Sequence, residues 1–305
     1  MVAVPLGPAP SNPVSLTLHV DDPVLGQAEA TGTVAPTQQP RGQPFPVPAR
    51  LEFAATDKPE YAAGESVRLS VRWHALGKID AYYSAFAALL GPDGQTIVRR
   101  DGEPQQGKRP TLLWAPGEEI PDEYALALPP DVPPGAYAVE VGLYRASDMA
   151  TAMTLGADGL PLPRLVVGRV KVPLPQSQVQ PQHALDSVLD GKIALVGYDL
   201  MQAGGNLTVT LYWRALERIP NDYTVFLQAL APDGGLAGQC DNQPLGGHYP
   251  TGIWSPGEVV ADPYHLILSP GEYRLIAGMY DLGTMTRLRT TSDDKVELTT
   301  LRVTP

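Results

Sequence analysis

Along several short stretches of this chain, apolar and polar residues alternate one for one, the period expected of strands with one face in a core and the other in water. From Val67 to His74 the apolar set is Val67, Leu69, Val71 and Trp73, and the polar set is Arg68, Ser70, Arg72 and His74. The alternation returns with Leu207, Val209, Leu211 and Trp213 against Thr208, Thr210, Tyr212 and Arg214. Such patterns predict strands over residues 49–56, 65–76, 82–91, 94–100, 119–128, 135–145 and 164–172, then over 191–200, 206–217, 222–231, 235–241, 259–268, 271–281 and 295–303. Seven short strands per set, separated by turns, are the signature of a β-sandwich.

The two sets are one pattern written twice. Trp73 and Trp213 lie 213 − 73 = 140 residues apart, and the same offset relates Tyr83 to Tyr223, Phe86 to Phe226, Asp101 to Asp241, Trp114 to Trp254 and Glu118 to Glu258. All four tryptophans are therefore two positions, each used twice. "PPGAYAVEVGLY" (Pro133 to Tyr144) matches "SPGEYRLIAGMY" (Ser269 to Tyr280), where a shortened turn reduces the offset to 273 − 137 = 136. A repeat of this length reads as domain duplication. "GPDG" and "APDG" supply a fixed φ, an acceptor side chain and a residue free to take positive φ, and so read as hairpin tips. Tyr137 and Tyr273, each just after a Pro-Gly turn, look like the tyrosine corner of immunoglobulin-like sandwiches.

The expected fold is all-β: two tandem immunoglobulin-like, Greek-key β-sandwiches over residues 49–172 and 186–305, joined by a Pro- and Gln-rich linker over 173–185. Residues 1–48 form a Pro-rich N-terminal segment with one clear strand, "VSLTLHV" (Val14 to Val20), and a short "GTV". A lone strand is not stable, so this one is expected to pair with a sandwich edge in this chain or in a neighbour. Val14, Leu16, Leu18 and Val20 are the residues that would set its register as a donated assembly strand.

Composition narrows the function classes. Among 305 residues, 33 prolines and 30 glycines against 18% charged residues suit short strands and turns rather than long helices. One cysteine, Cys240, and five scattered histidines offer no metal-ligand spacing, and no cofactor is expected. A net charge of −11 argues against a nucleic-acid partner. The longest apolar stretch, "AYYSAFAALLG", is well short of the roughly 20 residues of a membrane-crossing helix. The N-terminus carries no basic region followed by an apolar core, so the chain reads as cytosolic or as a mature or excised piece of a longer protein.

Taken in order, "GKIALVGYDL", "LTVTLYWRAL", "DYTVFLQALAPDG", "PTGIWSPGEVV" and "PGEYRLIAGMYD" resemble the β-sandwich repeats at the C-terminal end of bacterial membrane glycosyltransferases of the mannosyltransferase-like type and of related surface proteins. The resemblance spans about residues 50–305. It implies an extracytoplasmic, non-catalytic sandwich without a defined ligand, and it transfers no catalytic residue.

For Trp114 and Trp254 two readings compete: an aromatic platform for a sugar ring, or a plug at the end of each sandwich beside the Pro-Gly-Glu turn. Tyr249 and His248 join them as candidate ligand-binding residues. Glu118, Glu258, Asp101 and Asp241 recur in both copies and suit turns better than the tuned carboxylate pair of a glycosidase. No nucleophile or nucleotide-binding motif is present. The expected function is non-enzymatic binding, with cell-envelope glycan or a surface protein as partner. The alternative is a structural subunit that self-assembles into a surface filament or layer through its N-terminal strand.

Overall fold

The computed structural model describes residues 15–22, 26–33, 45–175 and 179–304, with side chains from Pro46 onward. Its regular structure is all-β, interrupted among the described residues only by short 3-10 turns at Pro104–Gly107, Thr111–Leu113, Pro244–Gly247 and Thr251–Ile253.

In the first half, one sheet carries the strands Pro161–Leu162, Ala152–Leu155, Phe45–Thr56, Ser66–Ala75 and Glu119–Ala127, in that order. A second carries Leu165–Val172, Gly135–Arg145, Tyr83–Leu90 and Thr96–Gly102. The second half repeats this with His183–Leu189, Ile193–Ala203, Asn206–Ala215 and Val259–Ile267 in one sheet. Its other sheet runs Leu236–Asn242, Thr224–Leu230 and Gly271–Asp281, and both Thr286–Arg287 and Val296–Val303 pair with the last of these. Each strand read from alternation is present, with ends moved by a few residues.

Each half has its own apolar core, drawn from both of its sheets and consistent with β-sandwich packing. The alternation explains this directly: in Ser66–Ala75, Val67, Leu69, Val71, Trp73 and Ala75 face inward and are buried, and Asn206–Ala215 repeats the pattern. Trp73 and Trp213 have no exposed surface. The hairpin tips form as expected, with Gly94 at φ 77° and Gly234 at φ 85°, and with Asp93 and Asp233 accepting from the backbone N–H two residues on.

Two expectations need correction. Ser15–Asp22 pairs antiparallel with Gly26–Thr33 in a separate two-stranded sheet, placing Leu16, Leu18 and Val20 opposite Gly32, Ala30 and Ala28. Within the chain its described partner is therefore this strand rather than a sandwich edge, and Val14 lies outside the described residues. Its partner "GQAEATGT" has no aromatic residue and only Thr31 and Thr33 as β-branched ones, and was legible only at its end. The linker reading over 173–185 also runs too far, because His183–Leu189 is a strand along Ile193–Ala203. Most of that edge strand is exposed or half-buried, so it has no apolar face for a pattern to reveal.

Candidate functional site

The repeated Trp-x-Pro-Gly-Glu segment is a structural turn in both halves. Gly117 and Gly257 take φ 84° and 85°, which a side chain would strain. The Glu118 and Glu258 carboxylates each accept the backbone N–H three residues back, from Ala115 and Ser255, at 2.8 Å. The indole N–H of Trp114 donates to the Arg109 carbonyl and that of Trp254 to the Tyr249 carbonyl, both at 3.0 Å. The tryptophans are 3% and 2% exposed. Neither presents a ring face to solvent, so the aromatic-platform reading of Trp114 and Trp254 is overturned: their rings complete the two cores.

The halves differ in how this glutamate is neutralised. In the first, Arg109 donates from Nε and Nη2 to Glu118 at 2.5–2.8 Å, near the surface. That guanidinium, with the Ala115 N–H, holds the Glu118 carboxyl below its ordinary value. In the second half the aligned residue is Tyr249, whose hydroxyl donates to Glu258 Oε1 but brings no charge. The cation comes instead from the other half: Lys171 Nζ lies 2.6 Å from Glu258 Oε2, 2.9 Å from Ser255 Oγ and 3.3 Å from Glu60 Oε1. Ser255 in turn donates to Glu60 at 2.5 Å.

This junction is dry. Lys171, Glu258 and Tyr249 are 3%, 6% and 0% exposed. Burial, with the Glu258 hydrogen bond, pushes the Tyr249 phenol well above its ordinary value, so it remains a neutral donor. Around this centre, Ala136 N–H donates to the His248 carbonyl at 3.0 Å and Leu174 N–H to the Tyr249 hydroxyl at 3.2 Å. Arg169 pairs with Asp222 at 2.7 Å, and Asp222 also accepts from Gly252 N–H at 3.0 Å. The tight fit requires glycine at 252, since a Cβ there would stand 2.5 Å from Asp222 Oδ1. His248 contributes its carbonyl while its side chain is exposed, and Tyr249 is sealed inside. The structure thus brings these two candidates together in a joint between halves rather than in an open ligand site.

The joint is a set of ion pairs and hydrogen bonds between the halves. Lys171 is ion-paired to two carboxylates and donates to the Ser255 hydroxyl. A buried pair with every oxygen hydrogen-bonded is the arrangement in which ionic burial is best tolerated.

A second recurring device went unread in the sequence. Asp122 and Asp262 sit on the inward face of their strands, accept from Gln105 N–H and Leu245 N–H at 3.0 and 2.8 Å, and receive the Tyr124 and Tyr264 hydroxyls at 2.8 and 2.6 Å. They hold turns in which Gln105, Gln106, Leu245 and Gly246 have positive φ. Burial, only partly offset by the Tyr264 and Leu245 donors, raises the Asp262 pKa to about 6. The available signal was an acid on the apolar side of an alternating strand, repeated at the same offset.

No protein-family model matches the chain, and no curated protein matches it. Among solved structures, red sea bream transglutaminase aligns with 84% of this chain and 31% of its own length, at 11% identity and a TM-score of 0.23. A superposition that loose assigns neither fold family nor activity. No helix among the described residues is long and apolar enough to cross a membrane.

Proposed function

We propose that the chain is a non-enzymatic tandem of two immunoglobulin-like β-sandwiches, divided near residues 173–182, that acts outside the cytoplasm as a rigid binding module for cell-envelope glycan or a surface protein. Support for the fold assignment comes from the repeated sheet orders and from the tyrosine corners, in which Tyr137 donates to the Pro133 carbonyl at 2.6 Å and Tyr273 to the Ser269 carbonyl at 2.9 Å. The extracytoplasmic placement rests on the resemblance to glycosyltransferase C-terminal repeats.

The observation that carries the reading is the buried joint. A flexible pair of domains needs only a linker, whereas Lys171, Glu258 and Tyr249 hold these two in one orientation. Their outer faces are thereby kept in fixed register, which suits display of a surface. The recurring acids Glu118, Glu258, Asp122 and Asp262 are all engaged in turns, which fits a non-catalytic role.

With the tryptophans buried, one surface left for a sugar is a hollow of about 470 Å³ on the first half, lined by Phe86, Arg99, Asp101, Tyr144, Met149, Thr151 and Arg164. Arg99 crosses it, paired with Asp101 at 2.7 Å and lying over the Phe86 ring, and the Tyr144 ring, the Thr151 hydroxyl and the Arg164 guanidinium complete a mixture of the kind that orients polyhydroxylated ligands. The test is a polysaccharide array probed with wild type and a Tyr144→Ala/Arg164→Ala variant. Selective binding lost in the variant supports the glycan reading; absence of binding, or identical binding by both proteins, removes it and leaves the surface-protein partner.

A further inference from the structure

The joint holds an amine against a carboxyl group in a site closed to water. Lys171 Nζ lies 2.6 Å from Glu258 Oε2, so the carboxyl carbon of Glu258 stands one bond beyond an atom that the amine already touches. Both groups are held from their backbones. Lys171 N–H donates to the Pro59 carbonyl and its carbonyl accepts from Tyr61 N–H, each at 2.9 Å, and this bridge sets Glu60 beside it. Glu258 follows the turn at Gly257 and is gripped by Ser255 N–H at 2.8 Å and by the Tyr249 hydroxyl.

We propose that Lys171 and Glu258 condense to an amide, a covalent cross-link between the two halves that forms within the folded chain and releases one water. Fixing two reactants at contact range makes such a step effectively unimolecular. The freshly folded chain carries the pair in its ionic form, and the amide follows from it.

The surroundings supply every group the step needs. A proton moves from Lys171 Nζ to Glu258 Oε2 along their hydrogen bond, leaving a neutral amine and a neutral carboxylic acid, the forms that a dry site favours. The Nζ lone pair bonds to the Glu258 carboxyl carbon, and the C=O electron pair moves onto Oε1, where the Tyr249 hydroxyl donates to the developing charge. A second Nζ proton passes through Ser255 Oγ, 2.9 Å from Nζ, to Glu60 Oε1, 2.5 Å from that hydroxyl. Returned from Glu60, this proton converts the Oε2 hydroxyl to the water that leaves with the electrons of the C–Oε2 bond. One proton stays on the amide nitrogen, Oε1 becomes the amide oxygen, and no buried charge is left on either partner.

Other ion pairs of the chain lack one part or another of this set. Glu118, aligned with Glu258, meets the Arg109 guanidinium, which stays protonated and is no nucleophile. Lys58–Glu65 and Lys295–Asp293 do pair an amine with a carboxylate, but their side chains are 23–46% exposed, against 4% and 5% for Lys171 and Glu258. Water there solvates the charges and competes for the carboxyl group. The cross-link spans 87 positions and constrains the unfolded chain as a disulfide would, in a protein whose single cysteine, Cys240, cannot form one internally. It extends beyond the proposed binding role and holds for any ligand.

The test is the intact mass of the full chain, freshly folded and after prolonged incubation, followed by proteolysis and mass spectrometry of the peptides. Wild type is expected to lose the mass of one water and to yield a branched peptide joining the Lys171 and Glu258 segments. The branch must be located, because an Asp-Gly sequence such as Asp93-Gly94 can also lose water. Lys171→Arg, which keeps the cation but has no nucleophilic amine, should retain its full mass. Glu60→Gln, which leaves the Lys171–Glu258 contact but cannot carry the proton, should condense about a hundredfold more slowly. Circular dichroism verifies that both variants fold. A wild type that keeps its full mass after incubation overturns the proposal, as does a water loss that Lys171→Arg shares with no branched peptide in either digest.

Discussion

Replacing Lys171 by methionine tests the joint most sharply, because the duplicated chain carries its own control. The substitution keeps the length and apolar stem of the side chain and removes the charge. Glu258, with a side chain only 5% exposed, would then keep the Tyr249 hydroxyl and Ser255 N–H but lose its cation at 2.6 Å. Breaking a buried pair in this way costs about 3–5 kcal/mol, because the surviving charge is left uncompensated. The aligned glutamate gives the contrast: Glu118 and Arg109 have side chains 25% and 34% exposed, so water replaces much of what Arg109→Met removes, and about 1 kcal/mol is expected. Urea unfolding followed by tryptophan fluorescence would measure both, since each half carries two tryptophans. The double variant Lys171→Met/Glu258→Gln should recover most of the loss, because no buried charge remains. A Lys171→Met protein within about 1 kcal/mol of wild type, or no less stable than Arg109→Met, would refute the reading of the joint as a buried ionic contact.

Two further predictions follow from the same geometry. Asp262 holds its proton more tightly in the folded state, with its pKa raised from 3.8 to about 6, so the stability that this one group contributes should fall as pH rises from about 4 to 6 and level off above. Asp262→Asn, which can accept from Leu245 N–H and donate to Tyr264, should flatten that slope; urea midpoints from pH 4 to 7 that keep the wild-type slope would show that the proton sits elsewhere. Gly252→Ala would drive a Cβ against Asp222 Oδ1 and within 3.1 Å of Arg169 Nη2, loosening the joint, whereas Leu112→Ala at the aligned exposed position should be nearly neutral. Small-angle scattering would detect a broader distribution of shapes for Gly252→Ala alone, and an unchanged profile would count against the tight fit.

The strands were legible because their physics is local. A strand with one face in a core must alternate, and Ser66–Ala75 and Asn206–Ala215 do so without exception. Where that condition fails, the signal fails: His183–Leu189 lies on an edge, and Gly26–Thr33 is built from small and polar residues. The turns held by Asp122 and Asp262 were missed for another reason. Positive φ at Gln105, Gln106 and Leu245 is not a preference of those residues, and is imposed by a carboxylate 17 positions away. Trp73 and Trp213 were legible as core from the alternation, but Trp114 and Trp254 only as recurrent positions, since an indole beside a Pro-Gly turn serves equally well as platform or plug until its N–H finds the Arg109 or Tyr249 carbonyl.

By itself, then, the sequence determined the all-β character, the repeated pattern and the alternating strands of both halves, because period, turn chemistry and offset are properties of neighbouring residues and of two aligned copies; the short or edge strands Ala152–Leu155, Pro161–Leu162, His183–Leu189 and Thr286–Arg287 carried no such period. It also contained the exchange of Arg109 for Tyr249, the one sign that the second glutamate had lost its cation. Only the tertiary structure decided what replaced it. Lys171 lies 87 positions from Glu258, in a different sheet on a different core, and the two meet because particular ends of the halves pack together. Which ends meet depends on the shape of the whole surface, and no local pattern encodes it.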